Sequence, residues 1–586
     1  MIKNKYVIYL FLVFLAVVII PYFFGDKDVS QSLSYMVGFN NKVGMILLVL
    51  FSIPLFLFSL RHSVQTDCCL FNDNKWIEGD NKIVISVIGI SAFALIIEGI
   101  LLCGENFTGT GGEGSYIMHY IYSAQNGFEL YKDIHYIYGP LTIYPVIWLN
   151  KIGLSINCSY FFVLTIYHLV GLYMLYDILL LFKVSKKERG VIFLIAAVIF
   201  YPLETGMNFC SLRFVMMPWA VTKFVKFSIN HLTPLRLSLF NICAFLLIFL
   251  YSQEYGLCYL FIVLIYCLYD LFGNRSWNGL LYSFELFLIL IVSYFILPNY
   301  FMSILQAGSG GGSYPFIPSL VLFLVVAVFM AYGIIIGGQI KHFKNNYSII
   351  IIELAFILAF PSALGRCDPP HIFYNLFFAI ILSYVFAKQV FNKTIVISFY
   401  LICLITFFPH HITAVFRGVV GDIVRNNIVT VERVLDKIGY SGQVLDKLDD
   451  LNLKYEILDV VDGTVTSIDC DNKSYLILQN KSIYVETFFG HKPIWIGNKQ
   501  GFDKELAELK AKKPDFLLLP KDYETVWLEP AVLEGHYIDI LFCSYYHPKI
   551  KNYYNEYLYG ELIDFIKNNY NQISSNSSFT VLKRND

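Results

Sequence analysis

Charge is scarce in this chain and almost cancels. Only 15% of the 586 residues are charged, 43 Lys and Arg against 44 Asp and Glu, for a net charge of −1. A sequence so poor in charge is far from a water-soluble globule, and without a basic excess it offers no electrostatic footprint for nucleic acid. Paired cysteines are missing too. The twelve cysteines are scattered, none at the Cys-x-x-Cys spacing of a zinc or redox site, and most lie in or near apolar runs, where they read as small apolar residues. No internal repeat stands out. The glycine patch 308–312 lacks the Gly-Lys-Ser/Thr ending of a nucleotide phosphate loop and reads as a flexible loop, a candidate lid.

What is abundant is apolar sequence: 57% hydrophobic and 17% aromatic residues. A membrane-spanning helix needs about 20 mainly apolar residues. Thirteen runs qualify: 6–24, 43–60, 83–103, 158–182, 188–203, 212–229, 237–253, 255–272, 279–297, 316–337, 347–363, 371–390 and 394–409. The first follows Lys3 and Lys5 but has no clear small-residue cleavage site, so it reads as a helix and not a signal peptide. The expected fold is therefore an α-helical polytopic membrane domain over residues 1–414.

Lys and Arg in short loops set orientation. With the N-terminus in the cytoplasm, basic residues gather in the inner loops, provided that 139–155, with Pro140 and Pro145, lies at the interface or is half inserted. The same alternation puts Glu113, Asp133, Glu204, Arg213, Glu254, Arg366, Asp368 and His371 on the outer side, an arrangement expected of one site beneath the outer surface. The alternative is that outer loops carry the polar residues left over.

After residue 415 apolar runs shorten to strand length, as at 475–478, 515–520 and 537–542, and alternate with helix-like stretches at 424–438, 502–512 and 558–570. Residues 415–586 read as a soluble α/β domain, placed outside the cytoplasm by the odd span count. Its cysteines, Cys470 and Cys543, become candidates for a disulfide in an oxidising compartment.

The chain is organised around 112–144, a polar and aromatic stretch between apolar runs. Ionisable side chains next to membrane spans are costly unless used or paired. A carboxylate at Glu113 is suited to deprotonating a sugar hydroxyl, and Lys132 to offsetting a phosphate leaving group. The order Glu113-Gly-x-Tyr116, Ala124, Asn126-Gly127, Tyr131-Lys132-Asp133 and Tyr138-Gly-Pro-Leu141 resembles the first outer loop of bacterial GT-C membrane glycosyltransferases, relatives of the protein O-mannosyltransferases and the lipid A aminoarabinose transferase. The resemblance implies a polyprenyl-phosphate-linked sugar donor, an extracytoplasmic acceptor, inversion, and a carboxylate base in this loop. Family members often carry Asp where this chain has Gly112, which leaves the base to Glu113, with Asp133 as partner or substitute.

Two further segments resemble family motifs. Ser252–Gly256 interrupts what would otherwise be one apolar stretch and places Glu254 at a hairpin tip or in a cavity; Gly365–His371 supplies Arg366, Asp368 and His371. The forked guanidinium suits phosphate, so Lys132, Arg213 and Arg366 are expected phosphate contacts, and Tyr116, Tyr131, His135, Glu254, Asp368 and His371 are expected to line the pocket. His410, His411 and His135 lack helical ligand spacing and read as interfacial polar groups; no cofactor is called for, and a divalent cation is left open. A polysaccharide polymerase or ligase and a transporter stand as alternatives.

Overall fold

The computed structural model describes residues 2–24, 41–62, 70–71, 81–102 and, between 113 and 404, all but 126, 134–135, 137, 203–205, 230–232, 274–276, 309–320, 341–342 and 367–368. Beyond these it describes 454–468, 470, 474–475, 477–478, 481, 483–487, 499–528, 532–533, 550–551 and 556–585.

Helices dominate. In chain order, α1 (Ile2–Phe23), α2 (Asn41–His62) and α3 (Asn81–Leu102) precede a short α4 (Glu113–Gln125) and α5 (Tyr144–Lys151). Then follow α6 (Ile156–Leu179), α7 (Lys186–Ile199), α8 (Ser211–Ile229), α9 (Pro234–Tyr251), α10 (Gln253–Gly273), α11 (Asn278–Ile296) and α12 (Pro298–Gly308). The body closes with α13 (Val321–Ile340), α14 (Phe343–Ile357), α15 (Phe360–Arg366), α16 (Pro369–Asn375), α17 (Phe377–Val390) and α18 (Lys393–Leu404).

Each of the thirteen expected runs overlaps a helix. Among the described residues eight stretches are long and apolar enough to cross a membrane: 42–61, 158–179, 234–251, 253–273, 278–296, 321–340, 346–364 and 371–390. The chain is thus a helical membrane protein, with fewer qualifying spans than the thirteen expected. The shortfall has physical causes. The apolar parts Lys5–Pro21, Lys82–Ile96 and Lys393–Leu404 are shorter, α7 has 14 residues, and α8 carries Arg213, Lys223 and Lys226. At eight residues, α5 is about 12 Å long and cannot cross a hydrocarbon core of about 30 Å.

The interior of the bundle forms around α13, 83% of whose apolar window is buried in protein against 17% for α2. Lipid offers no hydrophobic drive between helices, so close backbone approach has to supply the contact. Gly333 and Gly337 provide it: a Cβ on either would meet α2 backbone oxygens, Ser52 O at 2.6 Å or Phe56 O at 2.5 Å. Ser59 Oγ then donates to the Ile334 carbonyl at 2.7 Å.

Charges pair at the helix ends. Lys223 on α8 reaches Asp177 on α6 at 2.6 Å, and Lys388 reaches Glu188 at 2.5 Å. Arg213 and Glu254 pair at the opposite end of α8. Glu353 on α14 differs, being fully buried inside the bundle with Gln339 Nε2 donating to it at 2.7 Å.

The C-terminal region contains a small sheet: β1 (Val465–Ser467), β2 (Phe516–Pro520), β5 (Tyr570–Ser575) and β6 (Phe579–Arg584) in the order β1-β2-β6-β5, with a separate two-stranded β3 (Val532–Leu533) and β4 (Ile550–Lys551). β1 runs parallel to β2, and the other pairs are antiparallel. Leu517 and Leu519 face α19 (Lys499–Lys512), α20 (Tyr523–Leu528) and α21 (Glu556–Asn569) with Trp527 and Tyr559, while Phe516 and Leu518 pack on Ile457, Leu458 and Leu478. Burial on both faces is why β2 reads as a continuous apolar run.

The expected strand at 515–520 and the helices at 502–512 and 558–570 form. The expected strand at 475–478 does not: residues 474–475 and 477–478 are helical, turning Tyr475 and Leu478 inward. Residues 424–438, 537–542 and Cys543 lie outside the described residues, so the Cys470–Cys543 pairing does as well; Cys470 is buried with its Sγ on the Ile468 and Leu518 carbonyls.

Candidate functional site

The stretch 127–143 leaves α4 through Gly127, whose φ of +95° suits glycine, and runs to the α9–α10 junction. There Gly139 N–H donates to the Tyr251 carbonyl at 3.2 Å. The approach is so close that a Cβ on Gly139 would sit 2.1 Å from Leu250 O. Pro140, which has no N–H to satisfy, starts a 3-10 turn over 140–142, and Thr142 Oγ1 closes it onto the Gly139 carbonyl at 2.7 Å.

Tyr131 holds the left-handed φ of +70°, costly for an aromatic residue. Packing over-determines it: its ring lies 5.0 Å from Tyr300 and 6.0 Å from Tyr136, and its hydroxyl donates to the Tyr138 carbonyl at 2.7 Å. Tyr300 is carried by α12, where Ser303 also donates to the Tyr136 carbonyl at 2.8 Å. Loop, α9–α10 junction and α12 therefore lock Tyr138 in place.

Tyr138 stands on Arg213. The guanidinium carbon lies 5.0 Å from the Tyr138 ring centre, 5.4 Å from Phe214 and 6.0 Å from Phe209. Nη1 donates to the Asn208 carbonyl at 2.8 Å, Nη2 donates to Glu254, and Asn208 Nδ2 donates to the Tyr138 hydroxyl at 3.1 Å. Among the described residues Arg213 Nε meets no acceptor. The Arg213 side chain is 11% exposed and that of Glu254 is 37% exposed, so the carboxylate is the open member of the pair. An aromatic cage of this kind holds a cation by its ring faces while leaving part of the guanidinium fork for an anion.

His371 joins from α16, with its ring 5.3 Å from Phe209. Beside it, Asn375 Nδ2 donates to the His371 carbonyl at 2.8 Å and Oδ1 accepts from Tyr255, one residue after Glu254, at 2.5 Å. Residues far apart in sequence, Tyr138, Arg213, Glu254 and His371, thus share one end of the bundle.

Lys132 and Asp133 belong to a neighbouring surface turn. Lys132 Nζ pairs with Glu129 at 2.9 Å, and both side chains are more than half exposed; the Glu129 hydrogen bond raises the Lys132 pKa. Asp133 accepts from the Glu129 N–H at 2.7 Å, so its carboxylate closes the turn. Glu113 is the first residue of α4, Tyr116 lies one turn on, and Arg366 ends α15; their side chains lie outside the description, as do His135, Asp368 and Glu204 altogether.

Asn208, Phe209 and Tyr255 were not expected in the site, and Tyr138 was named in the loop motif without a role of its own. The Tyr-Gly-Pro at 138–140 was the available signal, since a tyrosine beside a glycine that must touch backbone is positioned more firmly than its aromatic neighbours. Among the described residues no group of three or more His, Cys, Asp or Glu side chains is placed to hold a metal ion. No protein-family model matches the chain, and no curated protein matches it.

Proposed function

We propose that this membrane protein is a GT-C-type glycosyltransferase that moves a sugar from a polyprenyl-phosphate carrier to a hydroxyl of an extracytoplasmic glycan, lipid or protein, with inversion. The observation that carries the reading is the caged Arg213 beside the open carboxylate of Glu254 under the docked loop 127–143. Inverting transfer requires a carboxylate to take the acceptor proton and cations to offset the phosphate as its bond to the anomeric carbon breaks. Glu113 is the proposed base with Asp133 as partner; Lys132, Arg213 and Arg366 meet the phosphate; Tyr116, Tyr131, His135, Glu254, Asp368 and His371 line the pocket.

In this reading thirteen helices cross the plasma membrane, the N-terminus is cytoplasmic, and residues 415–586 form an extracytoplasmic domain. The basic inner loops support that orientation. Purified protein incubated with radiolabelled polyprenyl-phosphate sugars should consume the donor, and no consumption of any such donor would sink the reading. A transporter is favoured by one observation only, the buried Glu353 with Gln339 inside the bundle, since intramembrane carboxyls mark ion pathways. Loss of substrate movement in vesicles on Glu353→Gln, with no donor consumption by the parent protein, would decide for it.

A further inference from the structure

Arg189 is a buried cation without an anion. It stands one turn into α7, on the face that packs inward with Phe193 and Ala196, and is only 3% exposed. An arginine keeps its charge at any ordinary pH, so burying one is costly unless an anion meets it. The side chain folds back past the start of its helix, where Nη2 makes one long bond, 3.4 Å, to the Val184 carbonyl. Among the described residues Nε meets no acceptor and no carboxylate pairs with the guanidinium. The adjacent Glu188 is engaged elsewhere: Lys388 Nζ and the Tyr384 hydroxyl each hold it at 2.5 Å. The helix start is open at the same place. Ser185 takes the Glu188 N–H on Oγ at 3.3 Å and the Arg189 N–H on its carbonyl at 2.9 Å, which leaves the Lys187 N–H without an acceptor among the described residues. Lys183, Lys186 and Lys187 are exposed around it, so the partial positive charge of the helix start is reinforced.

From this convergence we propose that the start of α7, with Arg189 Nε and the Lys187 amide, is a binding site for a phosphate group. A water would fill the open bond at Nε but brings no charge; a phosphate supplies acceptor oxygens and negative charge together, and the guanidinium fork matches it. Two sources share this chemistry, the headgroup of an anionic membrane lipid and the free ion. The outer face of the same helix favours the lipid. Lys187, Val191 and Leu194 fall in line at i, i+4 and i+7, with Val191 57% and Leu194 55% exposed, an apolar track for an acyl chain that ends at a basic rim. The 14 residues of α7 put this site about 21 Å from the end of the bundle that carries Arg213, and it does not rest on the transferase reading.

The test takes the full-length protein, depleted of lipid in a non-ionic detergent, and offers it short-chain phosphatidylglycerol or inorganic phosphate as separate probes. Native mass spectrometry counts bound lipid, and thermal unfolding reads the stabilisation that any ligand of the folded state confers as its concentration rises. A single phosphatidylglycerol should bind with a rise in melting temperature. Arg189→Gln should weaken that binding by about 10- to 150-fold, the range for hydrogen bonds to a charged group. Arg236→Gln removes the same charge from an exposed position at the start of α9, at the same end of the bundle, and should bind within about twofold of the parent. With no probe present, Arg189→Gln should be at least as stable as the parent, because it removes an unpaired buried charge. A response to phosphatidylglycerol alone supports the site with a lipid headgroup in it, and an equal response to inorganic phosphate supports the site with the free ion. No response to either probe, equal binding by Arg189→Gln, or an equal loss in Arg236→Gln would overturn it. So would a probe-free Arg189→Gln less stable than the parent, which would mean that the protein itself already satisfies the guanidinium.

Discussion

Gly139→Ala tests whether the loop is held where the site needs it. The added Cβ would stand 2.1 Å from Leu250 O and 2.6 Å from the carbonyl carbons of Leu250 and Tyr251, all backbone atoms with no rotamer to turn. Contact becomes ordinary at 3.4 Å, so the loop must retreat by 1.3 Å, the difference between the two distances. That retreat stretches the 3.2 Å bond from Gly139 N–H to Tyr251 beyond use and lifts Tyr138 from Arg213. Overpacking costs about 1–3 kcal/mol and the lost bond about 1 kcal/mol. Together they move the docking equilibrium about 30- to 900-fold toward the open loop. Thermal unfolding in detergent and donor consumption should both fall. Gly89→Ala is the control: nothing lies within 4 Å of its Cβ on α3, and a helical alanine there should be neutral or gain about 0.5–1 kcal/mol. If the two variants behave alike, the close approach at Gly139 does not position the site.

Removing one member of the Arg213–Glu254 pair should cost more than removing both. Arg213→Leu or Glu254→Gln alone should cost about 3 kcal/mol, the low edge for buried pairs because Glu254 is 37% exposed, and the double variant distinctly less than the sum; additive losses in chemical denaturation would show the charges uncoupled. Glu113→Gln should lower turnover by about 10²- to 10⁴-fold with the donor still bound, and near-normal turnover there with loss in Asp133→Asn would move the base to Asp133. Asp515 accepts from the Thr464 N–H at 3.0 Å and Oγ1 at 2.6 Å, which together with Arg584 hold its pKa below the ordinary carboxylate value. Its contribution is present above the ordinary value and is lost as pH falls through the depressed one, so unfolding of the sheet followed by Trp527 fluorescence should ease at acid pH, and Asp515→Asn should blunt that dependence. A cytoplasm-only reporter fused after Asp586 should be inactive, and activity would reverse the proposed orientation.

Length and apolarity made the helices legible, and where they failed the reason is specific. Arg213, Lys223 and Lys226 keep α8 from qualifying as a span by composition, although twelve of its residues are buried. Ser252–Gly256 was readable as a break because nothing else explained a glutamate between two apolar runs; that Glu254 meets Arg213 was not, since the partner lies 41 residues away and only packing brings them together. Tyr475–Leu478 misled because a four-residue apolar run fits a strand or a helical turn equally well. The strand 570–575 was hidden by its polar side chains: most of its residues are exposed, and among the described residues it pairs with β6 alone.

The bond from Ser59 to the Ile334 carbonyl joins residues 275 apart. At about 5–20 residues per second, a ribosome needs about 14–55 s to make the chain between them. During biogenesis α2 must therefore wait in the bilayer for the helix that will cover its Ser52–Phe56 face. The hydrogen bond from Tyr9 on α1 to the Phe51 carbonyl at 2.6 Å requires neither α13 nor anything later, so α1 and α2 are equipped to wait as a pair. Early helices that dimerise loosely and are captured late present the membrane quality-control machinery with a long interval in which Gly333 and Gly337 decide whether capture succeeds. A bulky residue at either position would then be felt as a failure of assembly, in cells depleted of membrane chaperones first, before any change in the finished protein could be measured.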